Sequence, residues 1–159
     1  MDFATADLSD EYPDEVQICD PLLRDFGGRE RFAGEVATLK CFEDNSLVRT
    51  ALEQPGAGRV LVVDAGGSLR CAMLGDLLAE KAVANRWEGV IMYGCIRDST
   101  RIAELPLGVK ALTTHPRKSV KQGAGQADLA LRFAGAEFRP GAHVYCDRDG
   151  ILVAARRLA

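Results

Sequence analysis

The feature that most restricts the fold is a pair of apolar runs with a helical stretch between them. RVLVVDAGG (59–67) is a nearly unbroken series of aliphatic residues closed by glycines. A half-exposed strand would alternate, so this run fits a strand buried on both faces. GVIMYG (89–94) reads the same way. Between them Asp76 to Arg86 predicts a helix with Leu77, Leu78, Ala82 and Val83 on one face, extended by Trp87. Strand, helix and strand make a βαβ unit, and its two strands must then be parallel.

The flanks add to this unit. SDEYPDEVQICDPLLRDFG (9–27) predicts a short helix, with Ser9 as a cap, and a loop. AGEVATLKCF (33–42) reads as a strand. NSLVRTALEQ (45–54) reads as a helix capped by Asn45, with Leu47, Val48, Ala51 and Leu52 inward, and PGAG (55–58) ends it. LPLGVKALTTHPRKS (105–119) gives strand-like pieces cut by Pro and Gly, and KQGAG (121–125) is a turn. DLALRF, AEF, HVYCD and ILVAA are short strands, the later ones joined by RPGA and DRDG. The expected fold is α/β, one domain over 1–159, with a central βαβ unit and additional antiparallel strands.

Charge and cysteine usage exclude several classes. A net charge of −3 and the lack of a basic run argue against broad nucleic-acid binding. Five cysteines with no close pair fit reduced thiols rather than a disulfide framework or a zinc site. No stretch approaches the roughly 20 apolar residues that span a bilayer, and MDFATADLSDEY lacks the apolar core of a signal peptide, so a cytoplasmic protein without a membrane partner is expected.

The βαβ unit also places chemistry. Loops leaving the carboxyl ends of parallel strands gather at one sheet edge, where ligands bind. One such loop ends in Gly75-Asp76, at the tip of the helix; the other carries Arg97-Asp98. One helix down and one strand back, 20 intervening residues, returns the chain to the same edge. There the amides of Gly75 to Leu78 form an anion seat, and Arg97 offers a planar fork of donors. Asp98, with Asp76 acting through water, offers hard oxygens for Mg²⁺ or Mn²⁺. Such a trio suits a small 2-oxo acid whose cleavage leaves pyruvate as its enolate.

The segments FGGRERFAGEVATLKCFEDNSLV, GRVLVVDAGGSLRCAMLGDLLAEKAVANRWEGVIMYGCIRD and HVYCDRDGILV resemble the RraA-like family, which holds 4-hydroxy-4-methyl-2-oxoglutarate aldolases and the regulators of ribonuclease activity A. Asp76, Arg97 and Asp98 match the aldolase pattern of an Asp, 20 residues and Arg-Asp. The resemblance implies a β/β/α swivelling-domain fold and a homotrimer with sites near subunit interfaces. It implies substrate contacts by the backbone of Gly75, Asp76, Leu77 and Leu78 and by the Arg97 side chain. It also implies a divalent metal on Asp98, with Asp76 holding one of the metal's waters. The implied reactions are cleavage of 4-hydroxy-4-methyl-2-oxoglutarate to two pyruvates and decarboxylation of oxaloacetate. The regulator branch, similar overall but without the Asp after the Arg in its well-known members, implies instead a ribonuclease E-type partner. Longer aldolases add an acidic residue near the C-terminus; this chain ends in RRLA, and Asp147 or Asp149 are the candidates to replace it.

Other polar residues have ordinary readings. Gly66-Gly67 is a tight turn and Gly123-x-Gly125 a hinge. His115 is a surface or capping residue, while His143 and Cys95 pack. Arg117, Lys118 and Lys121 read as a solvated loop face.

Overall fold

The computed structural model describes residues 2–159. In chain order the elements are α1 (Thr5–Glu11), β1 (Val16–Ile18), β2 (Arg24–Asp25), β3 (Phe32–Lys40), α2 (Ser46–Leu52), β4 (Val60–Asp64), β5 (Ala72–Leu74) and α3 (Asp76–Ala84). They continue with β6 (Gly89–Ile96), α4 (Ser99–Ile102), β7 (Gly108–Thr114), β8 (Gln126–Ala127), β9 (Leu131–Phe133), β10 (Ala136–Phe138), β11 (His143–Asp147) and β12 (Gly150–Ala154). The main sheet runs β1-β12-β11-β3-β4-β6-β7-β2, with β5 on β6 and β8 on β3. Its centre, β3-β4-β6-β7, is parallel, and β11, β12, β1 and β2 join antiparallel. This is the expected mixed α/β architecture, with a parallel centre and additional antiparallel strands.

The unbroken apolar run of β4 follows from burial on both faces. Leu61 and Val63 enter a core under α2 and α3, whereas Val60 and Val62 enter a second core under the β9–β10 hairpin. In that second core Tyr93, Phe133 and Phe138 stack in series.

Several expectations are corrected. Leu77 is 66% exposed, and the buried face of α3 is Leu78, Ala79 and Ala82. The neighbours of Leu77 at i+3 and i+4 are Glu80 and Lys81, so it belongs to the polar face. Ser9 lies inside α1; the helix tip is held instead by Asp147, whose carboxylate accepts from Thr5 N at 2.8 Å and Thr5 Oγ1 at 2.7 Å. VQI, read as loop, is an edge strand on β12. GVKALTT is a continuous fourth parallel strand, not cut pieces. Asn45 stands at the cap position of α2, but Asp44 accepts from Ser46 N at 2.9 Å in its place. The Gly123–Gly125 turn is no free hinge, since Gln122 N and Ala124 N both donate to Asp44 Oδ2.

All five cysteines are free and buried. No helix among the described residues is long and apolar enough to cross a membrane. Lys110 is 2% exposed, donates to the Asp147 carbonyl at 2.6 Å, and stands 3.0 Å from Asp25 Oδ1 as an ion pair that ties β2 to β7.

Candidate active site

Four parallel strands end at one edge, and four loops leave it: the residues after Lys40, after Asp64, after Ile96 and after Thr114. The two ends of the βαβ unit meet there. Arg97 N donates to Leu74 O at 2.9 Å, which seats the end of β6 against the residue before Gly75. Asp98 takes a left-handed backbone (φ 58°, ψ 39°), a region that Asp tolerates better than most residues. Its carboxylate reaches Asp76 N, with Oδ2 at 3.1 Å. Asp76 Oδ1 in turn accepts from Leu77 N at 2.8 Å. The helix tip is therefore covered by two carboxylates of the chain itself.

Gly75 makes this crossing possible. A Cβ there would stand 2.9 Å from Asp98 Oδ2 and crowd that carboxylate off the helix tip, while Arg97 Nε, at 3.6 Å, would lie in ordinary contact. The six residues expected at the site, Gly75, Asp76, Leu77, Leu78, Arg97 and Asp98, line one small cleft of about 80 Å³. The same cleft is lined by Asn45, Arg49, Ala72, Lys118, Ser119 and Lys121. Lys118 and Lys121 are exposed, as expected of a solvated loop face, and line the cleft as well. They reach the site because β7 is a fourth parallel strand and its following loop returns to the same edge. The loop is fixed there: Ala72 N donates to Arg117 O at 2.7 Å, Ala72 bridges to Lys118, and Ser119 Oγ donates to Asn45 Oδ1 at 2.8 Å.

The other candidates fall elsewhere. Asp147 is engaged with Thr5, and with Asp149 it lines a separate surface pocket beside Glu30 and Arg148. Neither lines the cleft. Cys95 is buried, its thiol directed at Ser68 O and its pKa raised by burial, as suits packing rather than nucleophilic attack. His115 accepts from Arg117 N and so caps its own loop. His143 lies on β11 opposite Glu35. A larger cavity of about 640 Å³ sits at the amino-terminal edge of the sheet, around Gly34, Gly58 and Glu88, and contains none of the expected residues.

The donor set fits a hard dication. Asp76 and Asp98 are the only carboxylates of the cleft, and no His or Cys lines it. Among the described residues no three His, Cys, Asp or Glu side chains cluster as a full metal cage. A cation held by one or two carboxylates keeps most of its coordination for water and substrate, as Mg²⁺ does.

Fold and cleft together define an α/β protein with a mixed-charge pocket at the carboxyl edge of a parallel sheet. The chain belongs to the RraA-like family, whose Aldolase/RraA description matches residues 5–153. It is similar to a protein of Laribacter hongkongensis (strain HLHK9) named "Putative 4-hydroxy-4-methyl-2-oxoglutarate aldolase", at 60% identity over 152 residues and 96% of each chain. It is also similar to the structure of the RNA-processing inhibitor RraA from Thermus thermophilis (TM-score 0.96, 46% identity, 100% of this chain and 96% of that one). A third relative is S-adenosylmethionine:2-dimethylmenaquinone methyltransferase from Geobacillus kaustophilus HTA426 (TM-score 0.95, 49% identity, 98% and 97%). Three different functional names on one fold mean that function has to be argued from the cleft.

Proposed function

We propose that the chain is a divalent-metal-dependent class II aldolase, a lyase that cleaves 4-hydroxy-4-methyl-2-oxoglutarate to two pyruvates and also decarboxylates oxaloacetate. The observation that carries this reading is the meeting of Arg97 and Asp98 with the helix tip across Gly75. The relatives named as aldolases support it. The mixed charge of the cleft suits a small acid.

In this mechanism the amides from Gly75 to Leu78 receive the substrate C1 carboxylate. Asp98, with Asp76, would hold Mg²⁺ or Mn²⁺, which when bound polarises the 2-keto oxygen as a Lewis acid. Asp76 handles the proton of the C4 hydroxyl through a water. As that proton leaves, the C4–O bond becomes a carbonyl and the C3–C4 bond breaks. Its electron pair moves into C3 and the C2 oxygen, so one pyruvate departs and the other remains as the enolate. Arg97 stabilises the negative charge on that oxygen, and a proton returned to C3 completes the second pyruvate. With oxaloacetate the same C3–C4 bond breaks and carbon dioxide leaves.

The test couples pyruvate to NADH oxidation by lactate dehydrogenase. Pyruvate release should be rapid with Mg²⁺ and fall to the protein-free background in excess EDTA. No release above the metal-only rate with either substrate would overturn the reading.

A homotrimer with sites near its interfaces is part of the proposal. Phe42, Leu69, Leu77 and Val120 are each more than half exposed, and all lie in or beside the loops and helix tip at the cleft edge. A light-scattering mass of a single chain would overturn it. The second reading, regulation of a ribonuclease E-type partner, is favoured by the likeness to the RNA-processing inhibitor and is compatible with an active cleft.

A further inference from the structure

The loop after β7 is closed by a histidine acting as an acceptor. His115 Nδ1 accepts from Arg117 N at 3.1 Å, two residues on. Asn and Asp usually close such turns, because their side-chain oxygens accept. An imidazole nitrogen accepts only while it carries no proton. The backbone of His115 is itself fixed, its N donating to Ile96 O at 2.9 Å. Residue 116 is proline and has no N–H, so the Arg117 amide is the first donor after His115.

That amide is coupled to the candidate active site. The Arg117 N–H and the Pro116 carbonyl belong to one planar peptide unit and point in opposite directions. With the N–H held by His115, the carbonyl oxygen is presented to Arg97, whose Nη1 donates to it at 3.5 Å. Among the described residues this is the one hydrogen bond of the Arg97 side chain. One residue on, Arg117 O accepts from Ala72 N at 2.7 Å. Both flanks of the unit are thus pinned, and rotation of this single peptide plane is the motion that His115 controls.

The charged groups on the elements packed against the loop are Arg24 on β2, Arg97 and Asp98 at the end of β6, and Arg70 before β5, paired with Glu43. Arg117 and Lys118 lie on the loop itself. The two carboxylates are engaged, Asp98 with the Asp76 amide and Glu43 with Arg70, and the cations cannot accept. The Arg117 amide therefore has no substitute acceptor among these groups once His115 takes a proton.

We infer that neutral His115 is a positioning residue for Arg97: it fixes the peptide plane that steers the guanidinium beside the helix tip, and protonation of the imidazole releases that plane. The effect on rate rests on the lyase reading and gives that site a pH dependence of its own.

The experiment compares the unsubstituted protein with His115→Asn and His115→Ala at about pH 5.5 and about pH 8, the range in which histidine changes charge. Asparagine can accept from the same amide at either pH. The ratio of unsubstituted to His115→Asn kcat for pyruvate release with Mg²⁺ cancels any protonation of the substrate. It should be near one at the higher pH and fall to about one tenth at the lower, the size of one lost hydrogen bond. His115→Ala should be about tenfold slower at both. A ratio that does not change with pH overturns the inference, as does a His115→Ala rate equal to the parent at the higher pH. NMR of the unliganded protein gives a readout that needs no turnover. The Arg97 Nε–H resonance should shift between the two pH values in the unsubstituted protein and stay fixed in His115→Asn. A resonance fixed in both, or shifting equally in both, overturns the inference. The expected shift without pyruvate from any of the three proteins supports the positioning and removes the lyase reading.

Discussion

Replacing Arg97 with lysine is expected to reduce pyruvate formation by about a thousandfold while the protein remains folded. The guanidinium lies beside the Gly75 tip, with Nε 3.6 Å from where a Cβ on Gly75 would stand, and its Nη1 makes only a long contact of 3.5 Å to Pro116 O. Its planar fork is thus free to receive a ligand oxygen. Lysine retains the charge but not the fork, and at such a site the exchange is not conservative. The side chain is half-buried at the surface end of β6, so unfolding temperature should hardly move. A rate within tenfold of the parent would show that Arg97 does not meet the developing charge. The same variant separates the two functional readings, because capture of a ribonuclease E-type partner should survive it.

Replacing Asp44 with alanine is expected to destabilise the protein by about 3 kcal/mol, the cost of leaving several donors without an acceptor. Asp44 is 4% exposed, and its carboxylate accepts from Ser46 N, Ser46 Oγ, Gln122 N and Ala124 N. It joins the start of α2 to the loop carrying Lys118 and Lys121. Burial alone would raise its pKa; the hydrogen bonds from Ser46, Ala124 and Gln122 outweigh that and hold it well below 3.8. A carboxyl depressed in the folded state stabilises fully above its unfolded pKa, and the contribution fades as pH falls below that value. Asp147 is lowered in the same sense, its burial outweighed by Thr5, Asp149 and Gly150. Stability should therefore decline below about pH 4. Urea titrations at pH 7 and pH 3 check this: Asp44→Ala should cost much at pH 7 and less at pH 3. An equal cost at both would contradict the assigned role.

Much of this arrangement was legible in the sequence. The runs around Val60–Asp64 and Gly89–Ile96 announce doubly buried strands because each must fill a core on both sides. The return to one edge then follows from connectivity alone, which is why Asp76, Arg97 and Asp98 could be brought together before any coordinates. What the sequence hid was long-range. The segment around β7 reads as pieces cut by Pro and Gly, yet Pro106 and Gly108 only precede or open a continuous strand, whose Lys110 is a core residue through its pairing with Asp25 across 85 positions. With β7 read as cut pieces, nothing ties its loop, and the exposed cations on it, to the cleft edge. Asp44 and Asp147 were missed for a similar reason, since the groups they serve, Gln122, Ala124 and Thr5, are distant along the chain. Leu77 is the opposite case: its local neighbours already argued against a core position.

The contact between the Asp98 carboxylate and the Asp76 amide has a consequence for turnover. On the lyase reading, the seat at the helix tip is already taken by a placeholder, so an arriving acid would trade one carboxylate for another at nearly constant hydrogen-bond count. Affinity for any single acid is thereby kept modest. After the proposed cleavage the tethered side chain would compete for its old place at a high effective concentration and so help eject product.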